Sequence, residues 1–223
     1  MADLPAEGRR ITIVGKGGDG KSTTAGHLLA WWERLGIPAA GLDADAPGPG
    51  EFGSLYTWSD TADLGAPVYV APAASRLVAE ARQRTPDKGL LAIDTGAWER
   101  KADNSHLAAL AAADLLVLAV QPTPMSQERA GSILATIDQV EAMTGRAPRF
   151  AILLTMTNAS AAAAREARAD LVAAGFHVLE TSVPRSDGRD GYGQAFGSPP
   201  RLVEGDAMHR LAVELHDLAA DIR

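Results

Sequence analysis

The chain has 223 residues, 46% of them hydrophobic, and a formal net charge of −7. That length and composition suit one sizeable α/β domain with a full core, and the acidic balance argues against a globally basic nucleic-acid binder. Cysteine is absent, which excludes disulfides, thiolate metal sites and iron–sulfur clusters, and no apolar run is long enough to span a membrane.

Residues 1–9 are short and polar, unlike a secretory or transit segment, and read as a flexible N-terminus. The β-branched run Ile11–Val14 is the first predicted strand, and a helix is expected from Ser22 to Leu35. Between them lies Gly15-Lys16-Gly17-Gly18-Asp19-Gly20-Lys21-Ser22-Thr23. The frame Gly15-x4-Gly20-Lys21-Ser22 is a complete phosphate-binding loop in the strand–loop–helix setting the motif needs. Its glycines let backbone N–H groups turn inward around phosphate oxygens, and the helix N-terminus adds a favourable dipole. Lys21 is the candidate for the β- and γ-phosphates, and the Ser22 hydroxyl for Mg²⁺. Asp19 is unexpected, because a carboxylate near phosphates is unfavourable unless it points to solvent or pairs with a lysine.

Further along, Ala39–Leu42 and Pro67–Ala71 read as strands. The first ends in Asp43-Ala44-Asp45, whose alternation places both carboxylates on one side of an extended chain. Leu90–Ile93 is a continuous apolar strand ending in Asp94, the arrangement that holds a Mg²⁺-bound water at a strand tip. Leu107–Val120 reads as a helix end followed by a buried strand at Leu115–Val120. A long helix follows Pro124 to about Met143. Arg149–Thr155 and His177–Thr181 are expected as two more strands, with a helix from Ser160 to Ala174 between them. Asp206 is the expected N-cap of a last helix that ends near Ile222. Stretches 46–53 and 184–200 are rich in proline and glycine and read as loops. The whole is expected to be a single nucleotide-binding domain over 1–223, a mostly parallel central sheet with helices on both faces.

With Lys16 inside the loop, the motif Lys16-Gly17-Gly18-x-Gly20-Lys21-Ser22 resembles the deviant Walker A loop of the ParA/MinD family of partition and positioning ATPases. The resemblance extends over nearly the whole chain, and is closest to the short ParA-type partition proteins. It implies ATP and Mg²⁺ as cofactors, ATP hydrolysis, and a homodimer that forms on ATP binding, with Lys16 reaching the partner subunit's nucleotide. On the residues alone, Lys16 could instead simply aid binding in cis. By the same resemblance Asp45 orients the attacking water and Asp43 supports the Mg²⁺ shell. Thr155, Pro184 and Arg185 fall where the family contacts adenine. After Asp45 the chain departs from the family pattern, continuing Ala46-Pro47-Gly48-Pro49-Gly50. Trp98 follows the Asp94 strand and reads as core or as a sensor of the dimer interface.

The implied activity is DNA partition or positioning: an ATP-bound dimer on non-specific DNA, released when a ParB-like centromere-binding or cargo adaptor stimulates hydrolysis. The expected location is cytoplasmic, on the nucleoid when ATP is bound. Arginines at 146 and 149, 165 and 168, and 185, 189 and 201 read as solvated faces or as a phosphate-tracking patch. Only 14 residues precede Gly15, so no N-terminal DNA-binding domain is expected. The C-terminal stripe Met208, Leu211, Leu215, Leu218, Ile222 carries Glu214, Asp217 and Asp221 opposite, so it is expected to dock on the core rather than on anionic lipid, with no stable membrane association. Alternatives are a conjugative-transfer accessory or protein- or membrane-positioning ATPase of the same family, and a dethiobiotin synthetase-like ATP-dependent enzyme. The five histidines (His27, His106, His177, His209, His216) lack paired ligand spacing.

Overall fold

A computed structural model describes residues 2–45, 51–71, 73–98, 104–158, 162–186 and 191–222. The altered run at 46–50, Ser160 and Arg189 lie outside them. The apolar runs become β1 (Arg9–Gly15), β2 (Ala39–Ala44), β3 (Val68–Val70), β4 (Leu90–Thr95), β5 (Leu115–Val120) and β6 (Arg149–Leu154). They form one sheet in the order β3-β2-β4-β1-β5-β6, and every pairing is parallel. Strands β4 and β5 are buried along their whole length, which is why they read as unbroken apolar sequence: a parallel sheet covered on both faces has no solvent side to alternate with.

The side-chain period of two still sorts the core. On β5, Leu115, Val117 and Ala119 face one cluster while Leu116, Leu118 and Val120 face another. The first cluster is closed by α1 (Lys21–Arg34), α2 (Ser54–Thr61) and α7 (Ala207–Ala220). The opposite face is closed by α3 (Ala74–Arg84), α4 (Asn104–Ala112), α5 (Ser126–Thr144) and α6 (Ala162–Ala173). The C-terminal stripe docks as expected: Met208, Leu211, Leu215 and Ala219 are buried, and the Trp32 indole N–H of α1 donates to the Ala212 carbonyl at 3.0 Å. Asp206 is the α7 N-cap, its carboxylate accepting from the His209 N–H at 2.8 Å.

Three expectations need correction. His177–Thr181 is not a seventh strand but a single parallel bridge between Ile152 and Val178. Leu179 N–H still donates to the Ile152 carbonyl at 2.9 Å. The next N–H groups, of Glu180 and Thr181, donate instead to the Glu214 carboxylate of α7 at 2.6 and 2.9 Å. The chain rejoins the sheet only at Val183, whose N–H reaches the Leu154 carbonyl at 2.9 Å. A side-chain acceptor thus takes the Thr181 N–H that would have continued the ladder, since only alternate N–H groups of a strand face one neighbour. The opening residues are also tied down: Leu4 packs into the core, and Arg9 donates to the carbonyls of Ala219 and Ile222 at 3.3 and 2.6 Å. Finally, α2 and α3 were not anticipated; α3 buries only Leu77 and Ala81, a stripe too thin to show as periodicity.

Candidate functional site

In the sheet order, β1 sits between β4 and β5, so the chain leaves β1 toward one edge and leaves β4 across it toward the other. Loops at the carboxyl ends of strands around such a reversal form a crevice. The phosphate loop runs from β1 into α1 there. Gly20 is the N-cap of α1 with φ 79°, a left-handed conformation that glycine adopts without strain. No side chain caps this end and no acidic residue stands in its first turn. The N-terminal N–H groups and the positive end of the helix dipole are therefore left for an anion, whereas α7 has a capping aspartate. Lys21 is buried, with its Nζ donating to the Lys16 carbonyl at 3.2 Å. Lys16, Gly17 and Gly18 are exposed.

Three aspartates converge on this edge from β2 and β4. Asp43 and Asp94 are register partners on adjacent strands. Asp94 is fully buried, and among the described residues neither carboxylate oxygen has a hydrogen-bond partner of normal geometry. Burial is the main reason its pKa is pushed up to about 7; the nearby Ser22 hydroxyl opposes it, Asp43 reinforces it, Lys21 opposes it and Asp45 reinforces it. An orphaned buried carboxylate is costly and calls for a missing partner. A cation held by Asp94 and Ser22 would supply one, so the residues present fit Mg²⁺. Among the described residues no group of three or more His, Cys, Asp or Glu is placed to hold a metal ion.

Asp43 is placed beside Asp94 but is already engaged. Its oxygens accept from the Asp45 N–H at 3.0 Å and the Tyr56 N–H at 2.7 Å, which ties the end of β2 to the first turn of α2. Burial raises its pKa, and those N–H groups oppose the rise. Gly53 makes the contact possible, since a Cβ there would lie 2.1 Å from the Asp43 Oδ1. Asp45 is half-buried, and its carboxylate lies over Gly96, where a Cβ would come within 2.8 Å of Oδ1.

On the other side of the loop, Thr155 ends the β6 edge. It is buried, and among the described residues its hydroxyl has no hydrogen-bond partner. Met156, at φ 50°, places its terminal methyl 3.4 Å from where a Gly20 Cβ would stand. Pro184 forms a bridge with Thr157, and the Arg185 N–H donates to the Thr157 carbonyl at 2.8 Å. Pro184 also borders a cavity of about 440 Å³ with His27, Tyr192 and Asp206. Burial is the main reason His27 sits below the usual imidazole pKa, against the opposing Thr23 carbonyl and Asp206, so its ring is neutral at pH 7. Trp98 is core: it is buried, meets His106 edge-on at 4.9 Å, and its backbone N–H donates to the Gly15 carbonyl at 2.9 Å.

Sequence reasoning missed the partners of Asp19. It points to neither solvent nor a lysine side chain, but is buried and accepts from the Lys16 N–H at 3.0 Å and the Gln121 amide at 3.1 Å. Arg129 of α5 stands 3.6 Å away. Gln121 carried only the signal of following β5 and opening the loop to α5. Several arginines of the suggested patch are engaged within the chain instead. Arg146 pairs with Asp114, Arg149 with Asp221 at 3.0 Å, and Arg168 donates to the Glu180 carbonyl at 3.2 Å. Among the described residues no helix is long and apolar enough to cross a membrane.

No protein-family model matches the sequence, and no curated protein matches it either. Solved structures do. Cobyrinic acid a,c-diamide synthase from Mycobacterium smegmatis, with a bound ATP analogue and magnesium, superposes with a TM-score of 0.66 at 18% identity, covering 93% of both chains. The cell division ATPase MinD of Pyrococcus furiosus gives 0.63 at 18% identity over 95% of this chain and 99% of its own. A Cyanothece McdA variant in complex with ATP gives 0.63 at 16% identity over 100% and 98%. The chain therefore shares the fold of these nucleotide-bound and cell-division proteins.

Proposed function

We propose that this chain is a Mg²⁺-dependent ATPase of the ParA/MinD positioning type. The observation that carries the reading is Asp94, a fully buried carboxylate that among the described residues has no hydrogen-bond partner of normal geometry, set beside Ser22 and Lys21 at the foot of an uncapped helix N-terminus. In this reading the α1 amides and Lys21 bind the phosphates, while Ser22 and Asp94 hold the metal and Asp43 fixes the β2 end through α2. Bound there, Mg²⁺ offsets charge on the phosphate oxygens. Asp45 orients the attacking water. Lys16, exposed on the loop, is free to reach the nucleotide of a second subunit and stabilise charge in the transition state. Thr155, Pro184 and Arg185 border the adenine. The active unit is an ATP-bound homodimer that engages non-specific DNA and is released by a ParB-like adaptor.

The test is ATP hydrolysis with and without duplex DNA at low and moderate salt, alongside co-sedimentation on that DNA. ATP-dependent, salt-sensitive binding with DNA-responsive turnover is the expected result, and Lys16→Ala should lose that turnover while still binding nucleotide. ATP turnover with no DNA binding in any nucleotide state would overturn the DNA role. The likeness to an ATP-using synthase and the cavity beside His27 would then favour a metabolic enzyme.

A further inference from the structure

An acidic residue inside a phosphate loop ought to repel the ligand the loop binds. This chain carries one at Asp19, and the fold buries it. Its backbone N–H donates to the Lys16 carbonyl at 3.2 Å while its carboxylate accepts from the Lys16 N–H at 3.0 Å. This closes a reciprocal turn that aims the carboxylate back over the loop. There it meets two groups from beyond β5, the Gln121 amide at 3.1 Å and the Arg129 guanidinium at 3.6 Å. Arg129 belongs to the first turn of α5 and, with Lys16 and Trp98, borders a cavity of about 560 Å³.

We propose that Arg129 is a positioning residue for the phosphate loop: it neutralises Asp19 and, with Gln121, ties the loop to α5, so that the loop accepts a triphosphate despite carrying a carboxylate. The inference rests on the phosphate loop being a nucleotide site. Losing Arg129 exposes the ligand to an uncompensated negative charge in a partly desolvated setting, and also frees the loop from α5. The penalty grows with ligand charge, so ATP suffers more than ADP. It shrinks with added salt, and it vanishes when Asp19 no longer carries charge.

The experiment measures dissociation constants of the full-length protein for a non-hydrolysable ATP analogue and for ADP, with Mg²⁺, at low and high salt. The variants are Arg129→Ala, Arg129→Lys, Asp19→Asn and the double variant Asp19→Asn/Arg129→Ala, each checked for folding by thermal unfolding. In Arg129→Ala, affinity for the ATP analogue should fall about tenfold at low salt, the scale of one unit charge near the site. The loss should be smaller for ADP, smaller at high salt, and largely rescued by Arg129→Lys. In the Asp19→Asn background, Arg129→Ala should cost less than about twofold, because the charge it compensated is gone. Equal losses in the two backgrounds, or equal losses for ATP and ADP, would overturn the pairing. Failure of the parent protein to bind either nucleotide would overturn the underlying site assignment instead.

Discussion

Asp94 and Asp114 are both buried aspartates next to strands of the same sheet, yet they stand at opposite ends of it with opposite chemistry. Asp94 lies at the carboxyl end of β4, without a hydrogen-bond partner of normal geometry among the described residues and with its pKa pushed up to about 7. Asp114 lies just before β5 at the other edge. It accepts from the Arg10 N–H at 2.8 Å and the Arg10 side chain at 2.8 and 3.0 Å, and pairs with Arg146. Burial would raise the Asp114 pKa, but the Arg10 hydrogen bonds and charge, helped by Arg146, outweigh it and hold the carboxyl below its ordinary value. Burial by itself therefore does not set the state of a carboxylate; its partners do. One end of the sheet answers its buried carboxylate from within the chain; at the other, among the described residues, Asp94 has no hydrogen-bond partner of normal geometry.

The comparison breaks most visibly if the complete end is emptied. Asp114→Ala strands two arginines and should destabilise the fold by about 3–5 kcal/mol, read as a lower urea midpoint with little change in slope. At the open end the signs reverse. Asp94→Asn should lower Mg²⁺-dependent ATP hydrolysis about a hundredfold while raising the stability of the nucleotide-free protein by about 1 kcal/mol. A variant that is both inactive and less stable would show that Asp94 has a structural partner after all.

Acidity sharpens the contrast. Between about pH 4, where an unfolded aspartate titrates, and about pH 7, folded Asp94 keeps a proton that the unfolded chain has released. The folded state then binds more protons, so stability of the metal-free, nucleotide-free protein falls as pH rises through that window. Asp94→Asn should flatten the slope, seen as melting temperatures at pH 5 and pH 8. Asp114 has the opposite sign. Its stabilisation is full above about pH 4 and lost as pH falls through its depressed folded value, so Asp114→Ala should remove part of the acid-unfolding transition. The smallest effect belongs to an exposed pair at the same far edge. Arg149→Ala breaks the surface contact with Asp221 and should cost under about 0.5 kcal/mol, a control for charge without burial.

The phosphate loop was legible because its chemistry is local. Glycines, a lysine and a hydroxyl at set spacing, between a β-branched run and a helix, form a signature contained in one short stretch of chain. The central strands were legible for a related reason: full burial on both faces demands continuous apolar sequence, as at Leu115–Val120. The weak elements were not. Helix α3 buries two side chains, and the segment at 177–181 has the composition of a strand but gives two of its N–H groups to Glu214, a residue of the last helix.

A parallel α/β fold, a glycine-rich loop with phosphate-binding spacing, a strand that runs into Asp94 and a C-terminal helix with one apolar face can all be read along the chain. Only the tertiary structure decided which carboxylates are answered and by what. Asp19 meets Gln121 and Arg129, Asp43 meets the Tyr56 N–H of α2, Asp114 meets Arg10 and Arg146, and Asp94 has no hydrogen-bond partner of normal geometry among the described residues. The reason is physical. Backbone conformation and burial pattern follow from residues near in sequence, whereas the state of a buried charge depends on groups brought close only when distant segments pack.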